Sequence, residues 1–160
     1  MFKSGGVDPQ ALLRLLYQWE EVDKATAQKI YTSHRKESKD IVAACLDSSL
    51  PERVVRGAVA HLLGMETADI DGLQIPMTLI AKVPAKVARE YRILPVRMHD
   101  NVLVIATSDP DNLAALDDLK FMLKVPQVKP ALASEAAVDQ ALVQYYGNAA
   151  AEERQEALSN

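Results

Sequence analysis

Side chains able to do chemistry are scattered along this sequence, not gathered. The three histidines, His34, His61 and His99, show no paired metal-ligand spacing. They read as solvated or partly packed imidazoles. The single cysteine, Cys45, stands between Ala44 and Leu46 on an apolar helix face. That setting suits a small buried hydrophobe better than a nucleophile. Asp109-Pro110-Asp111 is acidic enough for a metal or a general base, yet an aspartate directly before a helix caps free amide hydrogens. Asp117-Asp118, Glu20-Glu21 and Glu152-Glu153 read as solvated charge. No G-x-x-x-x-G-K-[ST] and no G-x-G-x-x-G occurs, and Gly5-Gly6 lies too near the terminus to follow a strand. With 6 glycines in all, little backbone is free to wrap a triphosphate, so this chain is not expected to hydrolyse nucleotides or to act as an enzyme.

Binding chemistry is better represented. Arg53 and Arg56, with Arg35, Lys36 and Lys39, form the densest basic region. Guanidinium and ammonium groups so placed could meet phosphates or an acidic partner face. Their plainer role is to offset nearby carboxylates on exposed helix faces. Trp19, the only tryptophan, is by default a core residue, but an aromatic on a short helix beside polar residues also serves as an interface anchor. Arg14, Trp19, Lys39, Arg53 and Arg56 are thus the candidate ligand- or partner-binding residues. No catalytic or metal-ligating set is expected.

A chain of 160 residues holds one medium domain or two small ones. A net charge of -4 disfavours general nucleic-acid binding, which needs a surplus of cations to neutralise phosphates. One cysteine allows no internal disulfide, which suits a reducing compartment. No apolar run approaches the roughly 20 residues that span a bilayer. MFKSGGVDPQ lacks the apolar core of a signal peptide. The expectation is a cytoplasmic protein without direct membrane insertion.

The elements that must position these groups divide the chain. Residues 1-70 carry nearly pure helical signal, 71-147 mix strands and helices, and 148-160 are an Ala/Glu-rich tail, either a frayed helix or the start of a linker. Asp8-Pro9 should open a first helix with Leu12, Leu15, Leu16 and Trp19 on one face. A second begins at Asp23 or Thr26 and passes Ala27, Ile30 and Tyr31, before the polar run Ser33 to Lys39. A third covers Ile41 to Leu46. A fourth opens at Leu50-Pro51-Glu52, turns Val54, Val55, Ala58, Val59 and Leu62 inward, and ends at Gly64. Helix-turn-helix therefore occurs twice, a loose internal echo. Pro76 starts a helical stretch that Val83-Pro84 interrupts. Ile93 to His99 and Val102 to Thr107 read as a hairpin turning at Asp100-Asn101. A helix over 112-123 turns Leu113, Leu116, Leu119 and Met122 or Leu123 inward. Val128 to Ala133 is a third strand, with Pro130 suggesting an edge. Ser134-Glu135 starts the last helix, carrying Val138, Leu142 and Tyr145. The expected fold is α+β: a helical bundle, then a three-stranded, mainly antiparallel sheet with helices on one face.

From Pro84 onward the sequence resembles the N-terminal domain of type II secretion and type IV pilus assembly ATPases. The "Y-x-(V/I)-L-P" step of that family is matched by Tyr91, Ile93, Leu94 and Pro95, after Ala88. The hairpin ending "L-x-V-A-x-x-D-P" appears over Leu103 to Pro110, with Val104, Ile105, Ala106, Thr107, Ser108 and Asp109 between. Ala115, Asp117, Asp118, Leu119 and Phe121 match "A-x-D-D-L-x-F". Val128, Pro130, Leu132 and Ala133 match "V-x-P-x-L-A", and Tyr146-Gly147 the closing "Y-G". The resemblance covers residues 76-147, while the first half agrees in length and helix order. It implies a non-catalytic docking or regulatory domain preceding a motor domain. Its partners would be that downstream motor and the cytoplasmic part of an inner-membrane platform protein. ATP and Mg would belong to the motor alone.

Some family members bind cyclic di-GMP through two repeats of "R-L-G-x-x-(L/V)-(L/V)-x-x-G". Placed by helix ends, the first repeat sets Ala11, Leu12 and Leu13 on R-L-G and Glu20 on the later glycine. The second sets Lys39, Asp40 and Ile41 there, and Ser48 on the glycine. A Cβ at those positions obstructs close approach of a ligand, which argues against cyclic di-GMP as a cofactor. The rival readings are a second-messenger sensor using Arg14, Lys39, Arg53 or Arg56 against phosphates, and a stand-alone interaction regulator.

Overall fold

The computed structural model describes residues 2 and 4-159, with side chains described for 2, 4-112 and 116-147. Four helices come first: α1 (Pro9–Gln18), α2 (Lys24–Lys36), α3 (Ile41–Asp47) and α4 (Glu52–Leu63). Their starts follow local chemistry. Asp8, Asp23 and Asp40 each accept a hydrogen bond from a first-turn amide, of Gln10, Thr26 and Val42 respectively. Gly64 closes α4 in the left-handed conformation. The second helix runs on to Lys36 and absorbs half of the polar run placed after it. Leu12, Leu13, Leu15, Leu16, Ile30, Val42, Cys45, Val55 and Val59 form the first core cluster. Two expected core residues miss it. Trp19 is 41% exposed and Leu62 37%, because α1 and α4 each end as those positions arrive.

The second region contains β1 (Glu66–Thr67), α5 (Met77–Ile80), α6 (Ala85–Tyr91), β2 (Leu94–His99), β3 (Val102–Thr107), α7 (Leu113–Leu123), β4 (Gln127–Leu132) and α8 (Glu135–Ser159). Asp100 and Asn101 both have positive φ, as a two-residue turn between antiparallel strands requires. The sheet differs from expectation. It has four strands in the order β1-β4-β3-β2, with only the β2/β3 pair antiparallel. The other two pairings are parallel, because α7 is a crossover returning the chain to run beside β3. Nor is the sheet covered on one face alone. Leu103 to Thr107 are all buried, and since successive side chains point to opposite faces, both faces of β3 are covered. Pro130 stands in an interior strand. However, β1 pairs only with Ala131 and Leu132, so the missing amide hydrogen of Pro130 faces no neighbour in β1. On α7, Leu119 is fully buried and Leu116 and Leu123 half-buried, whereas Met122 is exposed; Leu113 lies outside the described side chains.

Two core clusters result, one among the helices and one around the sheet, and Leu132 packs against the first from the sheet. The N-terminal turn reinforces the join. Gly5 has φ +62, and a Cβ there would lie 2.8 Å from Pro110 Cγ and 3.1 Å from Leu63 Cδ1. Only glycine fits this close approach between the regions.

Candidate functional site

The most developed polar site lies where α4 meets the segment after β1 and the start of α8. Glu52, Arg53, Arg56, Asp69, Asp71 and Ser134 line a cleft of about 360 Å³ there. Helical spacing places Glu52 and Arg56 one turn apart on α4, and Arg56 donates to Glu52 at 3.1 and 3.3 Å. Its second terminal nitrogen pairs with Asp69. Arg53 reaches the other oxygen of Asp69 at 2.8 Å. The two arginines differ sharply in setting: the Arg56 side chain is 6% exposed, that of Arg53 78%. Burial of a guanidinium requires paired carboxylates, and Glu52 and Asp69 supply them. The Arg56 Nε hydrogen nevertheless has no acceptor among the described residues. This arrangement can hold two chain segments together by charge. It contains no nucleophile paired with a base.

Of the five sequence candidates, the structure brings Arg53 and Arg56 together, through Asp69. The others stand apart. Arg14 is exposed on α1. Trp19 packs edge-on against His61 of α4, ring centroids 5.7 Å apart. Lys39 is held by Asp47 at 2.7 Å and Glu37 at 2.8 Å. Those hydrogen bonds push the Lys39 ammonium well above its ordinary value and pull the Glu37 carboxyl below its own. Arg56 was expected on an exposed face and is buried, because its partner Asp69 lies outside the helix. The sequence signal for Glu52–Arg56 was available as an i, i+4 pair. Asp69 gave none, since its pairing depends on how β1 leads the chain past α4.

Other chemical groups are accounted for structurally. Cys45 is fully buried, and desolvation pushes its thiol up to about 12. Tyr146 donates to the Ile80 carbonyl at 3.1 Å, and burial raises it to about 12. Asp109 takes a free amide hydrogen just ahead of α7. It accepts from the Asp111 amide, while Asn112 takes the cap position. Among the described residues no cluster of His, Cys, Asp or Glu could hold a metal. No described helix is long and apolar enough to cross a membrane.

The helical echo is closer in space than in sequence. Glu21 donates to the Leu16 carbonyl and Leu50 to that of Cys45, closing α1 and α3 with the same turn. Glu20 and Ser49 are the left-handed residues, with φ 61 and 68. Ser48, with φ -91, is not. The second repeat is therefore shifted by one residue from the sequence placement: Ile41 is the counterpart of Leu12, Val42 of Leu13, and Asp40 of Ala11. Lys39 falls outside it.

A family model described as the MshEN domain matches residues 63–152. The chain belongs to the MshEN domain family. It is homologous to the N-terminal domains of type IV pilus assembly and type II secretion ATPases. The type IV pilus assembly ATPase PilB of Thermus thermophilus is 38% identical over 71 residues, 42% of this chain and 8% of that protein. Bacteriophage adsorption protein B of Escherichia coli K12 is 42% identical over 62 residues, 37% of this chain and 8% of the relative. The chain thus spans a small part of the length of these relatives. A structure of MshE with cyclic di-GMP has a TM-score of 0.64 at 20% identity, covering 84% of this chain and 98% of that one. The N-terminal domain of XpsE gives 0.53 at 16% identity, covering 86% and 94%. These two likenesses establish the shared fold.

Proposed function

We propose that this MshEN domain is a docking module of a secretion or pilus assembly ATPase. It would bind the cytoplasmic part of an inner-membrane platform protein and position a downstream motor. In this reading it is cytoplasmic and peripheral to the inner membrane through its partner. Residues 1-70 and 71-147 act as joined subdomains, and 148-160 lead towards the motor. The work is done by binding energy and geometry. One observation carries the reading: the match to pilus assembly ATPases occupies only 8% to 23% of their length, as expected of an accessory unit beside a motor. Trp19 and Arg53, both exposed, are the sequence candidates best placed to meet a partner. Immobilised domain should retain a cytoplasmic platform component from solubilised inner membranes. If it retains none, the reading is wrong.

A second reading, sensing of cyclic di-GMP, draws support from the MshE relative and from the left-handed turns at Glu20 and Ser49. Against it, Leu13 and Val42 fill the core where the repeat pattern carries glycine. Ala11 and Asp40 stand at its arginine positions, so neither repeat supplies that cation for the phosphates. Calorimetry with cyclic di-GMP should therefore give no heat at high micromolar ligand. The adsorption protein B match supports use of this fold outside secretion and pilus ATPases, again as a small part of a longer protein.

A further inference from the structure

Helix α2 carries a one-signed charge pattern in an acidic chain. Lys24, Lys29, Arg35 and Lys36 lie on it, and no carboxylate occurs from Lys24 to Lys36, although the net charge of the chain is -4. Of its residues only Ile30 is buried. Helix energetics explain part of this pattern. Arg35 and Lys36 occupy the last turn, where cations meet the negative end of the helix dipole. Lys24 occupies the first helical position, where the same dipole disfavours a cation. Lys24, Arg35 and Lys36 have no ion-pair partner among the described residues, whereas Lys29 lies near enough to Asp23 to help the Thr26 hydrogen bonds hold its carboxyl down.

The exposed face has a shape as well as a charge. Ala25, Lys29, Thr32 and Lys36 recur at helical spacing and, with Gln28, Ser33 and the carboxylate of Glu37, which Lys39 engages, border a shallow depression of about 540 Å³. Small side chains, Ala25, Thr32 and Ser33, and two long cationic ones, Lys29 and Lys36, line it. That relief accommodates an elongated segment whose carboxylates reach the flanking ammonium groups. A lipid surface is a poorer match. The face offers no large apolar side chain to sink below the headgroups.

We propose that this face of α2 docks an acidic segment of the partner protein, with Lys29 and Lys36 contacting carboxylates beside Ala25 and Thr32. The inference rests on the docking reading above and adds its surface and its chemistry. The test titrates the full chain into a fluorescein-labelled polyglutamate peptide and reads anisotropy. Binding should weaken steeply with added salt. K29E/K36E should weaken it at least about tenfold, and K86E/K120E, exposed charges of the sheet region, less than about twofold. Circular dichroism verifies that both variants fold. Equal weakening by the two pairs, or none by K29E/K36E, overturns the assignment. Absence of polyglutamate binding overturns it too. If vesicles containing phosphatidylglycerol then bind through Lys29 and Lys36, the face belongs to a membrane. If self-association depends on them, it belongs to a second copy. Failure of the docking reading is seen separately. Wild-type domain that captures no platform component sinks that reading, whereas capture unaffected by K29E/K36E sinks only this surface.

Discussion

The helical region and the sheet region bury their polar groups in opposite ways. Around the sheet, the backbone satisfies itself through ladders, and the buried polar side chains, Thr107 and Tyr146, find backbone partners. Among the helices, a whole guanidinium is buried, and its carboxylate Asp69 comes from beyond β1. Closure of the sheet is thus a matter of strand register, whereas the helical bundle depends on an ion pair reaching out of it. Leu132, Arg56 and the backbone of Gly5 stand at the join between the two regions.

The largest effect should come from Leu132→Ala. This side chain is fully buried and packs against the helical core from the sheet. Its removal should cost about 3 kcal/mol in urea unfolding. It should also make far-UV circular dichroism and the Trp19 fluorescence transition, now expected to coincide, separate along the denaturant axis. Coincident transitions in the variant would break the idea of two cores sharing one contact. Next is Arg56→Ala. It leaves Glu52 without its cation and Asp69 with Arg53 alone, but both carboxylates are partly exposed and rehydrate, so the loss should be about 2 kcal/mol. Arg53→Ala removes a partner of the same Asp69 from an exposed position and should cost under about 0.5 kcal/mol. Equal losses at the two arginines would show that burial is not what distinguishes them.

Gly5→Ala should cost about 1 kcal/mol, from positive φ and contact with Pro110. The smallest effect near neutrality concerns Cys45. Below about pH 9 the thiol is protonated in both folded and unfolded chains, and stability is fully retained. As pH rises from 9 towards about 12, only the unfolded chain ionises, and stability falls. Thermal melts across that window should show the midpoint dropping more steeply in wild type than in Cys45→Ala. At pH 8 iodoacetamide should label Cys45 only in denaturant.

Local chemistry was legible wherever a few neighbouring residues decide it. Asp8, Gly64 and the Asp100-Asn101 turn could be read directly, and Asp23 as one of two starts with Thr26, because caps and tight turns are settled within one turn of chain. The resemblance motifs from Tyr91 to Gly147 identified the region that the family model also covers. Trp19 and Leu62 were misread because periodicity says which face a residue occupies but not where neighbouring elements stop covering it. The second repeat was misplaced by one residue because Ser48 and Ser49 are chemically alike, and only the backbone angle separates them.

By itself, then, the sequence determined the order of helices and strands, the family and the lack of a nucleotide-binding loop, since each is written in short-range pattern. Tertiary structure alone decided that β1 exists, that β3 and β4 run parallel, and that Asp69 reaches the buried Arg56. Those outcomes depend on which distant segments share space, and a two-residue strand or a single carboxylate carries too little local preference to announce its partner.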